Sequence, residues 1–275
     1  MIRTQTPHGW LLVTHTDHAH LAAAIAREWG NAQFRRPEPR TSLLTAIQRH
    51  EDAMHRQDAT PVLAEDHRPL GLTPESFGHR QLLVGSRLGQ NLSSRTEAVR
   101  MVAADDPYAA LLIALQTELD LTTMADRSAL TPAQSSLLDR FLAEEIRFRE
   151  QLRIEVDEDP FVAVREKTDR WLQENFALFQ AWDFLATYLC LGLEMPTELP
   201  QPLPLVTGES VRVRLVPLGL RHFQLDPWPL AQANLRLEFA ARPIIGHQFT
   251  SQQTLSDAWS VASEERIGVR LSAAV

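Results

Sequence analysis

The sequence predicts a mainly α protein: a multi-helix body with a small C-terminal antiparallel β appendage, α+β overall. Three observations predict it. Apolar residues recur at helical spacing, with capping signals, from about residue 15 to residue 193. Four prolines then fall between Met195 and Leu205, at positions 196, 200, 202 and 204, and no helix passes through such a stretch. Beyond them the apolar period changes from helical spacing to two. The expected organisation is a helical body with an N-terminal strand over 1–195. A Pro-rich linker and a small β appendage packed on the body follow over 196–275.

Gly9-Trp10-Leu11-Leu12-Val13-Thr14 reads as a short strand, one the appendage can recruit. A helix is expected from about Asp17 to Trp29, capped by Thr16 or Asp17 and stopped by Gly30-Asn31. Its apolar side runs Ala22, Ile25 and Trp29, and His18 begins that stripe. After a Pro-containing loop over 34–40, a second helix opens near Thr41 or Ser42. Leu43, Ile47, His50 and Met54 share one side of it. Glu51 sits one step round, and Asp52 lies off the stripe, toward solvent. Residues 58–89 are loop-rich, with short helical pieces expected around Phe77–Leu88 and Thr96–Ala104.

Asp106-Pro107 opens a helix with a cap and a proline in its first turn. Thr131-Pro132-Ala133-Gln134 opens another with a capping box, continuing to about Arg153. Asp159-Pro160 repeats the opening signal, and helix is expected from Phe161 to about Leu191. Its second half is apolar nearly all round, the pattern of a buried central helix. In the appendage Val211, Val213 and Leu215 alternate with arginines, and Leu235, Leu237 and Phe239 alternate with Arg236 and Glu238. Ile267, Val269 and Leu271 form a third alternating run. All three are expected as half-buried antiparallel strands, with Pro227-Trp228-Pro229 a rigid turn.

Composition bounds the function. Hydrophobic residues make up 44% and charged residues 23%, enough apolar residues for a sizeable core. The net charge of -8 argues against a nucleic-acid partner. No apolar run approaches the roughly 20 residues of a membrane span, and the N-terminus carries no signal-peptide pattern. A cytoplasmic protein without a membrane partner is expected. The one cysteine, Cys190, forms no intrachain disulfide and reads as a buried thiol. Oligomeric state is not encoded in any visible pattern.

Three polar sites interrupt apolar helix faces: His18, His50 with Glu51, and Asp183 in Phe179-Gln180-Ala181-Trp182-Asp183-Phe184-Leu185. Polar groups aimed at a core cost roughly 1–3 kcal/mol each unless partnered, so mutual partnership is the economical reading. Phe176, Phe179, Ala186 and Cys190 share a side with Asp183. Neutral imidazoles with a carboxylate suit a transition metal with positions open to water. The bland reading is a set of core histidines and a structural carboxylate held by hydrogen bonds. No Gly-rich phosphate loop, Gly-x-Ser-x-Gly elbow or His-Glu-x-x-His motif is present.

Several motifs in order carry a resemblance. They are Thr16-Asp17-His18-Ala19 with Trp29-Gly30-Asn31, Ile47-Gln48-Arg49-His50-Glu51-Asp52, and Arg68-Pro69-Leu70. Pro107-Tyr108-Ala109-Ala110-Leu111-Leu112, Trp182-Asp183-Phe184-Leu185 with Leu189-Cys190, and Leu225-Asp226-Pro227-Trp228-Pro229-Leu230 complete the set. Over nearly its whole length the chain resembles a bacterial family of uncharacterised proteins, domain of unknown function 3891. The family's histidine, His-Asp pair and late aspartate are similar to the ligand order of HD-domain metal phosphohydrolases. This second resemblance implies an HD-like helical body and a divalent metal (Mn, Fe, Mg or Zn) held by His18, His50, Glu51 and Asp183. It also implies Glu51 as a catalytic base and hydrolysis of a phosphoester in a small-molecule substrate.

The chain departs from the family's pattern at three places. His50-Glu51 stands where the family has His-Asp, Ala53-Met54 where it has Gly-Trp, and Gln116 where a histidine is expected. These changes keep a second expectation open: a metal-free helical scaffold or small-molecule-binding protein in which the polar set survives as a hydrogen-bond network.

Overall fold

The computed structural model describes residues 1–79, 81, 82, 88–128 and 130–274. Along the chain come β1 (Ile2–Thr6), β2 (Gly9–Val13), α1 (His15–Arg27), α2 (Arg40–Arg49), α3 (His55–Asp58) and β3 (Gln81–Leu82). There follow α4 (Leu88–Ala103), α5 (Pro107–Leu119), β4 (Ala125–Asp126), α6 (Pro132–Glu158) and α7 (Asp169–Leu191). The C-terminal part holds β5 (Thr197–Glu198), β6 (Leu203–Pro204), β7 (Ser210–Val211), β8 (Arg214–Gly219) and β9 (His222–Asp226). It ends in β10 (Asn234–Ile245), α8 (Gln252–Val261) and β11 (Glu265–Ala273). Among the described residues no helix is long and apolar enough to cross a membrane.

The chain divides into two compact units. The first takes Met1–Arg36, Met54–Phe77 and Ala181–Val275. Its centre is a sheet of seven strands among the described residues, in the order β1-β2-β10-β11-β9-β8-β5, which curls into a half-barrel. The hairpin β1–β2 docks on the C-terminal strands through β2, whose Leu12 faces Arg242 and whose Gly9 faces Ile245 in antiparallel register. Glycine is required there: a Cβ on Gly9 would lie 2.0 Å from the carbonyl oxygen of Ile244. One cluster on this sheet joins Trp10, Leu12 and Ile244 to Phe249, Leu255 and Trp259, the last two on α8.

This architecture corrects the expected fold class. The molecule is not a mainly α, HD-domain-like body with a small C-terminal appendage. It is 48% helical and 22% strand, and the seven-stranded sheet is a substantial part of it. The reason lies in β2. The C-terminal strands do recruit Gly9–Val13, through β10, but its residues are buried along its whole length and it is an inner strand of a large sheet. The strands are not all antiparallel either. β11 lies between β10 and β9, antiparallel to the first and parallel to the second. Helix α8 carries the chain between β10 and β11. Neither α8 nor β9 is among the elements that the sequence predicts.

Two segments far apart in sequence meet in this unit. Gly30 N–H donates to the Pro229 carbonyl at 2.9 Å, and Asn31 Nδ2 donates to the carbonyl of Trp228 at 2.8 Å. Asn31 Oδ1 in turn accepts from the amides of Gln33 and Phe34. Gly30 ends the run from α1 with φ +103°, a conformation that favours glycine, against the side chain of Arg36. The Pro227-Trp228-Pro229 turn, expected as rigid, is thus the docking partner of the α1 terminator.

The second unit takes Pro37–Ala53 and Gly78–Gln180. Here α5 packs against α2, α4 and α6, and every residue from Tyr108 to Ala114 is buried. Asp106 caps α5 as expected, its side chain accepting from Ala109 N–H, with Pro107 in the first turn. Thr131 and Gln134 close the expected capping box on α6. Leu88, Leu92, Leu121, Leu138 and Leu142 form a core cluster.

Several boundaries moved. Thr14, not Thr16 or Asp17, caps α1: its hydroxyl accepts from Asp17 N–H at 3.0 Å. Asp159 ends α6 rather than starting the next helix. A 3-10 turn, Val164–Lys167, intervenes, with Phe161 and Val164 exposed. The helical piece expected over Phe77–Leu88 falls partly outside the described residues; residue 77 lies in a turn and Gln81–Leu82 form β3.

Candidate metal centre

In the first unit His18 is placed by α1. With Thr14 as the cap, His18 falls in the second turn, and it is buried beside Ala19, Leu21, Ala22 and Ile25. Asp183 lies on the apolar end of α7, next to the buried Trp182 and Leu185. Trp29 and Trp182 meet edge to face, ring centroids 6.0 Å apart. Across this contact region His18 Nε2 lies 3.1 Å from Asp183 Oδ1, 3.0 Å from Thr187 Oγ1 and 3.3 Å from the Asp183 carbonyl oxygen. Three oxygens crowd one ring nitrogen, and a single N–H cannot serve all of them. Asp183 keeps 25% side-chain exposure against 5% for His18, so the carboxylate is reachable from water while the imidazole is not.

In the second unit His50 is the C-terminal cap residue of α2. Its Nδ1–H donates to the Ile47 carbonyl at 2.8 Å. Its ring packs edge-on against Phe179, with centroids 5.4 Å apart. Phe179 precedes Asp183 by one helical turn of α7. The Nδ1 donation fixes the tautomer and leaves Nε2 as a lone-pair donor, the second-sphere arrangement found around metal-ligating histidines. Glu51 follows, its carboxylate 4.0 Å from His50 Nε2.

Within the first unit His18 and Asp183 bring an imidazole nitrogen and a carboxylate oxygen side by side, donors of the kind a metal site uses. The donor chemistry fits: two imidazoles and a carboxylate suit Zn, Fe or Mn, with bonds of about 2.0–2.2 Å. Donors on neighbouring corners of such a shell sit about 3 Å apart, the spacing of His18 and Asp183. Gln116, the third position singled out in the sequence, donates from Nε2 to Asp120 Oδ1 at 2.8 Å. Its Oε1 is buried with no acceptor role filled among the described residues.

Residues that sequence reasoning passed over form a second polar group in the first unit. Asp58, buried, accepts from the backbone N–H of His15 at 2.5 Å, and His15 Nδ1 lies 2.9 Å from its other oxygen. Burial alone would raise the Asp58 pKa, but the His15 hydrogen bonds and charge outweigh it and hold the carboxyl below its ordinary value. Beside it lies a cavity of about 260 Å³ lined in part by Thr16, Asp17, His55 and Glu264. Burial raises the carboxyl of Asp17. The histidine next to the Thr14 cap was the available signal, hidden because its partner Asp58 is 43 residues away. Among the remaining histidines, His67 and His247 lie in loops and His222 opens β9.

No curated protein and no solved structure matches the chain. The family described as "Protein of unknown function (DUF3891)" matches residues 1–245. With nearly the whole sequence covered, including every motif from Thr16 to Leu230, the chain belongs to this family.

Proposed function

We propose that this protein is a metal-dependent hydrolase acting on phosphoesters. His18, His50 and Asp183 are its metal ligands, and Glu51 is a further ligand or the base that takes a proton from water. The observation that supports the reading best is the pairing of His18 Nε2 with Asp183 Oδ1 at 3.1 Å. The order of a histidine, a histidine–acid pair and a late aspartate follows the HD ligand order at the level of the site alone. When bound, a divalent ion in such a set supplies Lewis acidity toward a phosphoryl oxygen and lowers the pKa of water.

The chain's own residues supply the rest. His50 presents Nε2 because Nδ1 is committed to the Ile47 carbonyl. Glu51, next to His50, has the reach and the charge to accept a proton. The partial exposure of Asp183 leaves an approach for water and substrate. The test is metal analysis of the purified protein after loading with Mn, Fe or Zn, together with hydrolysis of p-nitrophenyl phosphate and its diester. A stoichiometric ion, lost in Asp183→Asn and His18→Ala, and metal-dependent turnover are expected. Absence of a stoichiometric ion under every loading condition overturns the reading.

A second reading is a metal-free hydrogen-bond network in a scaffold or small-molecule-binding protein. It is favoured by the Thr187 hydroxyl, already 3.0 Å from His18 Nε2, and by Gln116 in place of an imidazole. Under it, His50→Ala lowers the melting temperature and leaves hydrolysis at background.

A further inference from the structure

One face of the sheet carries two arginines side by side, with a histidine next to them. Arg236 on β10 faces Arg270 on β11 in register, and Arg270 faces His222 on β9. Residues directly opposite share a face, and like charges so placed destabilise a sheet. Arg221, at the tip of the β8–β9 hairpin with φ +54°, turns its guanidinium over the buried Phe239 ring, while its carbonyl accepts from Arg270 N–H at 2.8 Å. These four residues line an open concavity of about 480 Å³, within the usual size range of small-ligand sites.

Among the described residues, none of the three guanidiniums is ion-paired to a carboxylate; Arg270 reaches the side-chain oxygen of Asn234 at 3.4 Å. Glu238 lines the same concavity but sits opposite Gly268, one row away from the arginine pair. A Cβ on Gly268 would meet nothing within 4 Å, so the floor between Glu238 and the arginines is open. All of this stands on a chain whose net charge is -8.

We propose that His222, Arg236 and Arg270 form a binding site for a phosphorylated small molecule, gripped through its phosphate. Planar guanidinium forks match tetrahedral oxyanions with paired N–H donors. Glu238 offers an acceptor to a hydroxyl or amine on the organic part. The site is separate from the His18–Asp183 chemistry and does not depend on a metal.

The experiment is a thermal-shift and calorimetric titration of the whole chain with inorganic phosphate, glycerol phosphate and AMP, ionic strength held constant with chloride. Wild type is expected to bind and to melt higher with the organic phosphates. Arg236→Gln and Arg270→Gln are expected to weaken binding about tenfold or more each. Without ligand, each is expected to melt about 1–2 °C higher, because one of two opposed charges is gone. His18→Ala should retain the ligand response, which separates this site from the proposed metal centre. A response to inorganic phosphate equal to that for the esters identifies free phosphate and overturns the small-molecule assignment. No response to any of the three, or one that persists in both arginine variants, overturns the site.

Discussion

Asn31 donates from Nδ2 to the carbonyl of Trp228 across 197 residues of sequence, at 2.8 Å. The same side chain accepts two backbone amides through Oδ1. It therefore stitches the end of the α1 segment to the turn that leads into β10. Asn31→Ala leaves those groups without this partner, and a loss of about 1–3 kcal/mol is expected. Chemical denaturation monitored by tryptophan fluorescence measures it; a change below a few tenths would contradict the role.

Trp182 is fully buried, yet its indole N–H has no acceptor among the described residues. The ring contributes packing against Trp29 while the orphaned donor subtracts from it. Trp182→Phe removes the donor along with part of the ring, so the two effects offset to within about 1.5 kcal/mol. Trp182→Ala is expected to cost about 3–5 kcal/mol. Equal losses in the two variants would show that the ring Phe retains contributes nothing, which contradicts this account.

Glu145 is buried on α6, with Oε1 accepting from Thr96 at 2.8 Å and Oε2 unpartnered among the described residues. Burial raises its pKa above the ordinary glutamate value. The folded state thus holds this proton more tightly than the unfolded state. Its contribution is greatest below the unfolded pKa and declines as pH rises through the folded one. Glu145→Gln should therefore raise the melting temperature near pH 7 and lose that advantage as the pH falls below about 4.3, the unfolded glutamate value. Melting curves of both proteins across this range give the answer; a gain that grows toward acid pH contradicts it.

Cys190 is buried on α7, and burial pushes its thiol pKa far up. Thiolate is the reacting species, so the native protein should react with a disulfide reagent at the rate of transient opening. Adding denaturant should accelerate the reaction by several orders of magnitude. Rapid modification of the native protein would mean that this end of α7 is open to solvent.

The helices were legible where side chains act on their own backbone. Asp106-Pro107 and Thr131–Gln134 marked starts within one residue because a cap and its amide are neighbours in sequence. The polar interruptions at His18 and Asp183 were legible for a related reason: helical phase alone puts them on apolar faces. Sheet order was not. Whether Gly9–Val13 is an edge or an inner strand depends on β10, far along the chain. The parallel pairing of β9 with β11 depends on where α8 sends the chain. Asp159-Pro160 misled because the same pair that opens α5 can also end a helix. Only the exposure of Phe161 and Val164 separates the two outcomes. The arginine row was invisible for the same reason as the sheet order, since Arg236, Arg270 and His222 become neighbours only through register.

The docking of β2 on β10 has a consequence for the order of events during synthesis. Leu12 and Arg242 are about 230 residues apart in the chain. The β1–β2 hairpin leaves the ribosome long before its partner strand exists, with Trp10-Leu11-Leu12-Val13 unpaired along one edge. Sheet closure therefore waits until β10 has been made, and so non-local a pairing slows folding. In the interval the unpaired edge of β2 is a place for wrong pairing.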